Sequence, residues 1–233
     1  MTWMTTLVEF ASTRVDERVH EILLGRGVTE AQIAQYQIGH LEGALPEDVP
    51  DEFRKWAYDK TADAILLPLT NVLGEVRGFQ VRALGGSKAK YHDFIPDKRE
   101  PCFFGLGQAA RAIWETRSVF LVEGAFDLFP IQRAFPAVVA TLTARTTPAL
   151  ARLLRRLVDR VWVGYDMDGP GRRGCSEFRR DYARDFEVYI VSYPHVGKVK
   201  DPGELWEVWG DSQLVPFIQE LTKLKPEGEL YNG

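Results

Sequence analysis

The sequence predicts a parallel α/β sheet flanked by helices and preceded by a small α+β subdomain, and three patterns predict it. From Ser118 to about Gly210, strand-like and helix-like segments alternate strictly, as a parallel sheet with crossover helices requires. Two of the strand-like runs, Val119-Phe120-Leu121-Val122 and Val161-Trp162-Val163-Gly164-Tyr165, are short, rich in Val and aromatics, and cut off by acids and glycines. Strands buried on both faces read this way. Ahead of them, two apolar runs around a glycine-bearing turn read as a hairpin, and helical periodicity precedes the hairpin.

In chain order, helical character runs from about Ser12 to Ile38, with a stop at Gly25 and a restart behind Thr29 as cap. Residues 41–60 carry Pro46, Pro50 and several acids and read as a linker with a short helix. Ile65 to Leu69 and Val76 to Arg82 form the hairpin around Asn71 to Gly74. Gly85-Gly86-Ser87-Lys88-Ala89-Lys90-Tyr91 follows as a flexible basic loop. Then come a strand at Val119–Val122, a helix at Phe126–Ala134, a strand at Ala137–Ala140 and a helix at Pro148–Val158. A strand at Val161–Tyr165, a helix at Arg172–Arg184 and a strand at Glu187–Val191 complete the alternation. The expected division is 1–115, 116–212 and a C-terminal tail, 213–233.

With 233 residues, 45% of them hydrophobic, the chain can bury a real core. A formal net charge of −4 means that any surface for nucleic acid is local. Two such concentrations occur. Between Arg82 and Arg99 five Lys or Arg stand against Asp93 and Asp97, and from Arg145 to Arg184 ten arginines stand against five acids. The first, with Tyr91 and His92 beside it, suits holding phosphates and stacking a base, although a solvated loop has the same composition. Cys102 and Cys175 offer neither metal-ligand spacing nor a disulfide framework. No apolar stretch approaches membrane-spanning length and no export signal opens the chain, so a cytoplasmic protein without membrane contact is expected.

The chemistry concentrates where the strands end. Ligands of parallel sheets gather at the carboxyl edge, and there stand Glu123, after the first long strand, and Asp166 and Asp168, after the second. Asp166 and Asp168 can turn toward one ion. Such oxygen ligands suit Mg²⁺, which binds one or two carboxylates plus substrate phosphates. Phosphoryl-transfer chemistry is the expectation. Asp201, just ahead of a helix that begins with Pro202, is an N-cap by its spacing.

Glu123-Gly124 followed by Asp166-Met167-Asp168-Gly169-Pro170-Gly171 resembles the metal-binding TOPRIM domain of bacterial-type primases, topoisomerases and some nucleases. The hairpin with Gly78-Phe79 and Arg82, then Lys90-Tyr91, then Phe104-Gly105-Leu106-Gly107-Gln108-Ala109 resembles the rest of the catalytic core of bacterial-type (DnaG-type) DNA primases. Arg26-Gly27-Val28-Thr29 and Tyr36-Gln37-Ile38-Gly39 resemble its opening segment. The similarity spans about residues 20–210.

The resemblance implies a TOPRIM-type sheet and primer synthesis by metal-dependent nucleotidyl transfer on a single-stranded DNA template. Two Mg²⁺ or Mn²⁺ ions are then held by Asp166, Asp168, Asp201 and Glu123, with Glu123 either ligand or proton acceptor and Asp127 orienting a metal-bound water. Arg82 and Lys90, with Tyr91 and more weakly Arg77, are carried over as nucleotide and template contacts, and Arg145 and Lys200 as neighbours of phosphate. Where the family has Asp-Pro-Asp-Glu, this chain has Asp201-Pro202-Gly203-Glu204, so one ligand is replaced by glycine. No Cys/His quartet is present, and the resemblance covers a core without the zinc-ribbon and helicase-binding domains of full-length primases. That organisation suits an excised core or a minimal protein of a phage or mobile element that works with nucleoside triphosphates and a separate zinc-binding protein or replicative helicase. A TOPRIM nuclease and a non-catalytic DNA-binding module remain alternatives.

Overall fold

Two sheets organise the computed structural model, an antiparallel one within residues 39–94 and a parallel one within residues 118–190. The structure describes residues 2–60, 63–85, 89–97, 99 and 102–223, and each sheet belongs to its own unit, Met1–Ala110 or Arg111–Gly233.

The first unit opens with a helix that the sequence reading lacks, α1 (Trp3–Ser12), capped by Thr2 and burying Leu7, Val8 and Ala11. Two short helices follow. Asp16 caps α2 (Glu17–Leu24) by accepting the Val19 N–H at 2.7 Å, and Thr29 with Gln32 forms a capping box on α3 (Glu30–Gln35). Next comes β1 (Gly39–Glu42), a correction to the expected linker. A four-residue edge strand is too short to show alternation, and its pairing with a strand more than twenty residues away is invisible locally. Gly39 lets α1 press on β1, since a Cβ there would stand 2.5 Å from the Ala11 Cβ.

After α4 (Asp51–Lys60), the hairpin β2 (Asp63–Thr70) and β3 (Val76–Ala83) forms as expected, and β4 (Tyr91–Phe94) completes the sheet in the order β1-β2-β3-β4. Tyr91 is therefore the first residue of a strand rather than part of a loop, directly opposite Arg82; residues 86–88 of that expected loop lie outside the described residues. Aromatic rings close the core. Phe53 lies 5.4 Å from Trp3, 5.6 Å from Phe79 and 5.0 Å from Phe94, centroid to centroid.

Helix α5 (Leu106–Thr116) leads into the second unit. There β5 (Ser118–Val122), α6 (Ala125–Gln132), β6 (Val138–Ala140), α7 (Pro148–Leu157), β7 (Arg160–Gly164), α8 (Gly169–Tyr182) and β8 (Glu187–Ile190) alternate as the sequence predicts. All neighbouring strands run parallel, in the order β6-β5-β7-β8. The two long apolar runs, β5 and β7, are the central pair, which is why both faces of each needed apolar residues. Gly164 ends β7 against a tight wall: a Cβ there would meet the Tyr193 hydroxyl at 2.2 Å and Phe120 Cε1 at 2.6 Å. That hydroxyl donates to the Gly164 carbonyl at 2.9 Å and fastens the strand end.

Two boundaries differ from expectation. Helix α8 begins at Gly169 rather than Arg172, because Asp168 caps it. The final helix α9 (Pro202–Lys223) breaks at Gly210 (φ 62°) and continues through residues 213–223, which the sequence reading assigns to a tail. Leu214 and Ile218 are fully buried in that stretch, where α9 packs on α6, so burial rather than propensity holds it. Residues 224–233 lie outside the described residues. No helix among the described residues is long and apolar enough to cross a membrane.

Candidate active site

Strand register brings the acids together. Val122 of β5 pairs with Gly164 of β7, so Glu123 leaves one strand and Tyr165-Asp166 the next at the same edge. The turn after β6 joins them: Leu142, in the left-handed region at φ 62°, donates its N–H to the Glu123 carbonyl at 2.8 Å. The turn before α9 arrives from the other side, where Met167 donates its N–H to the Lys200 carbonyl at 2.6 Å. Glu123, Asp127, Asp166, Asp168, Lys200 and Asp201 thus lie around one edge.

The acids differ in how they are held. Asp168 Oδ1 accepts the Gly171 N–H at 2.8 Å, and Asp201 Oδ1 accepts the Glu204 N–H at 2.7 Å; each caps a helix and keeps its second oxygen. Gly171 is dictated by this turn, since a Cβ there would stand 2.1 Å from the Asp166 carbonyl oxygen. Glu123 Oε2 and Asp166 Oδ1 are buried, and no donor among the described residues reaches either. Asp127 has both oxygens engaged: Oδ2 accepts the Gly124 N–H at 3.0 Å and Oδ1 the Gly203 N–H at 3.2 Å. It ties the first turn of α6 to that of α9. Gly203 is close-fitted in return, because a Cβ would lie 3.0 Å from Asp127 Oδ1 and 3.3 Å from Asp201 Oδ1.

Crowded carboxylates resist ionisation. Burial pushes Asp166 up to about 7, helped by the charges of Glu123, Asp201 and Asp168 and opposed by Lys200. Burial and then Asp168 also raise Glu123, against the Asp166 N–H and Lys200. Asp127 is raised well above the carboxylate range by desolvation and by Asp201 and Asp166. Lys200, which partial burial alone would lower, is raised by Glu204, Asp201, Asp166 and Asp168.

Orphaned buried oxygens on Glu123 and Asp166, beside two capping aspartates with a free oxygen each, make a donor set that fits a hard divalent cation. The four acids do not close on one point. Among the described residues, the one group of His, Cys, Asp or Glu whose possible ligand atoms all lie within 4.8 Å is Asp16, His40 and Glu42, in the first unit. The sequence reading missed this group. His40 is buried with Nε2 at 2.9 Å from Asp63 Oδ1 and Nδ1 at 3.3 Å from the Arg14 carbonyl oxygen, and Arg18 pairs with Asp63 at 2.8 Å. It reads as a closed network joining the start of α2 to β1. The wider spacing of the sheet-edge acids is what a cation that keeps several waters accepts.

The expected cations fall in two places. Arg145 is exposed on the loop after β6, which packs against α8 where a Cβ on Gly174 would stand 2.1 Å from the Ala144 carbonyl oxygen. In the first unit, Arg82 is almost fully buried, with its guanidinium carbon 5.8 Å from the Tyr91 ring centre and Lys90 Nζ 5.9 Å from the same ring. Desolvation lowers the Arg82 guanidinium, and the neighbouring charge of Arg26 lowers it further. Arg26 is a cation that the sequence reading did not single out. Arg77 is engaged by Glu75 at 2.6 Å.

Residues 120–206 match the family model described as Toprim-like. The chain is 35% identical over 166 residues to a DNA primase of Treponema pallidum, covering 69% of this chain and 27% of that protein. Among solved structures, the RNA polymerase domain of Mycobacterium tuberculosis primase DnaG matches with a TM-score of 0.76 at 20% identity, over 93% of this chain and 81% of that one. A DnaG primase catalytic domain bound to single-stranded DNA matches with a TM-score of 0.69 at 21% identity, over 94% and 79%. The chain spans between a quarter and two fifths of the length of the curated relatives it matches.

Proposed function

From a chain that carries a Toprim-like domain, is related in sequence to bacterial DNA primases and shares the fold of their catalytic core, we propose that it joins nucleotides into a primer on single-stranded DNA. The observation that carries this reading is the pair of buried oxygens without donors, Glu123 Oε2 and Asp166 Oδ1, among four acids at the carboxyl edge of a parallel sheet. Burying such charge is costly unless a cation compensates it.

Glu123, Asp166, Asp168 and Asp201 would hold Mg²⁺ or Mn²⁺, as two ions. When bound, such ions stabilise the charge on the attacking 3′ oxygen and the departing pyrophosphate. Asp168 and Asp201, oriented by their capping hydrogen bonds, would offer their remaining oxygens to the ions. Glu123 would serve either as a ligand or, through its unpartnered Oε2, as the acceptor of the 3′ hydroxyl proton. Lys200 offsets the negative charge of the cluster while the substrate is absent. Asp127, with both oxygens bound to backbone N–H groups, is a positioning residue that keeps Glu123 and Asp201 in register. In the first unit Arg26, Arg82 and Lys90 supply positive charge for triphosphate and template, and Tyr91, more than one third exposed, offers a ring for a base.

The test is primer synthesis from labelled nucleoside triphosphates on single-stranded DNA with Mg²⁺ or Mn²⁺. Asp168→Asn can still accept the Gly171 N–H, so it should keep the fold and lower synthesis by about 10–100-fold, as losing a group that organises a metal does. Short products from wild type alone support the reading; shortening of the DNA would indicate a nuclease, and no reaction would reject primer synthesis by this chain on its own.

A further inference from the structure

The outer face of α8 carries charge that the active site does not use. Gly174, Cys175 and Phe178 point inward, leaving Arg172, Arg173, Ser176, Glu177, Arg179 and Arg180 exposed. Arg172, Arg173, Ser176, Glu177 and Arg180 line an open groove of about 330 Å³. A second depression of about 300 Å³ shares Arg172 and Ser176 with it and is also lined by Asp166, Met167 and His195. The two adjoin at Arg172 and Ser176, so the exposed face of α8 meets the acid edge at Asp166.

Arg111, Arg117, Arg133 and Arg155 each pair with an acid at 2.6–2.8 Å, whereas neither Arg172 nor Arg173 has an ion-pair partner among the described residues. Arg145, Arg152, Arg156, Arg160, Arg179 and Arg184 also lack an ion pair among the described residues, so what distinguishes Arg172 and Arg173 is their place near the start of α8, directly behind Asp166 and Asp168. Arg180 pairs only with adjacent Asp181, and Glu177 is the single carboxylate in the groove. Residues 172, 176 and 180 repeat at one helical turn and so line up along one face. Arg173 reaches back over the start of α8, where its Nη1 would lie 3.4 Å from a Cβ on Gly169, next to Asp168. In a chain of net charge −4, two unpaired guanidiniums in a groove that opens on the acids favour a polyanion.

We propose that this face of α8 is a track for the phosphodiester backbone of a nucleic-acid strand entering or leaving the site, with Arg172 and Arg173 as its phosphate contacts and Arg180 extending it. The proposal deepens the primer-synthesis reading and rests on it. The template strand and the new primer–template duplex share this chemistry, so both are used as probes.

The experiment measures affinity of the full chain for labelled single-stranded DNA, and for an RNA–DNA hybrid, across a salt series. For the strand that uses the track, Arg172→Ala/Arg173→Ala should weaken binding and reduce the slope of log affinity against log salt by about 1.4, two contacts at about 0.7 each on a single strand. Arg172→Lys/Arg173→Lys should restore the slope, and Arg111→Ala, whose guanidinium is paired with Glu115, should leave it unchanged. Folding is checked by circular dichroism. An unchanged slope on both probes in the alanine pair, or no binding of either probe by wild type, overturns the track. Primers made by wild type with an unchanged slope reject the track and keep the catalytic reading. A reduced slope in a protein that makes no primers keeps the track and rejects primer synthesis by this chain on its own.

Discussion

Asp166→Asn is expected to stabilise the protein in chelator at pH 8 and to stabilise it only about a third as much at pH 5. The carboxyl of Asp166 is pushed up to about 7 by burial and by Glu123, Asp201 and Asp168, while in the unfolded chain it titrates near its ordinary value of about 3.9. Between those values the folded protein binds more protons than the unfolded one, so stability falls as pH rises from about 4 to about 7. Below the unfolded value both states are protonated and there is no penalty; above the folded value the penalty is complete. Three units at about 1.36 kcal/mol each set a ceiling of about 4 kcal/mol. Asp166 is partly open to water, so screening reduces this to about 2 kcal/mol. For a chain of this length that is a rise in Tm of about 4–8 °C. The assay is thermal unfolding of wild type and variant at pH 5 and pH 8 in EDTA, then with Mg²⁺, which should raise Tm of wild type more than that of the variant. An equal change in Tm at both pH values, or a lower Tm at pH 8, would refute the account of Asp166 as a charge held in a site built for a cation.

Two further outcomes follow from the geometry. Gly164→Ala places a methyl 2.2 Å from the Tyr193 hydroxyl and 2.6 Å from Phe120, so unfolding should cost about 1–3 kcal/mol less; a Tm equal to wild type would mean that the β7 end is not tightly enclosed. Lys90→Ala, at an exposed position beside Tyr91, should raise the KM for the initiating nucleotide with little change in Tm; an unchanged KM would remove Lys90 from the nucleotide contacts.

The acids at the sheet edge were legible because β5 and β7 announce themselves. A central strand must be apolar on both faces, so the first acid after each run marks where the chain leaves the core, and parallel pairing puts both exits at one edge. The helix α8 was legible but its start was not, since Asp168 reads equally as ligand and as cap until the Gly171 N–H is seen on it. The edge strand β1, α1 and residues 213–223 of α9 were missed for a common reason. Their stability comes from partners distant in sequence: β2 for β1, Gly39 for α1, and α6 for the end of α9.

The sequence by itself determined which strand ends carry acids, which segments carry surplus arginine, and that a parallel sheet follows an antiparallel hairpin, because periodicity and strand termination are local properties. Only the tertiary structure decided how each acid is used. It turned both Asp127 oxygens onto backbone N–H groups of Gly124 and Gly203, left Glu123 Oε2 and Asp166 Oδ1 buried without donors, and set Arg26 beside Arg82. Hydrogen-bond partners and desolvation depend on atoms brought together from positions as far apart as Asp127 and Gly203, and no local pattern encodes that distance.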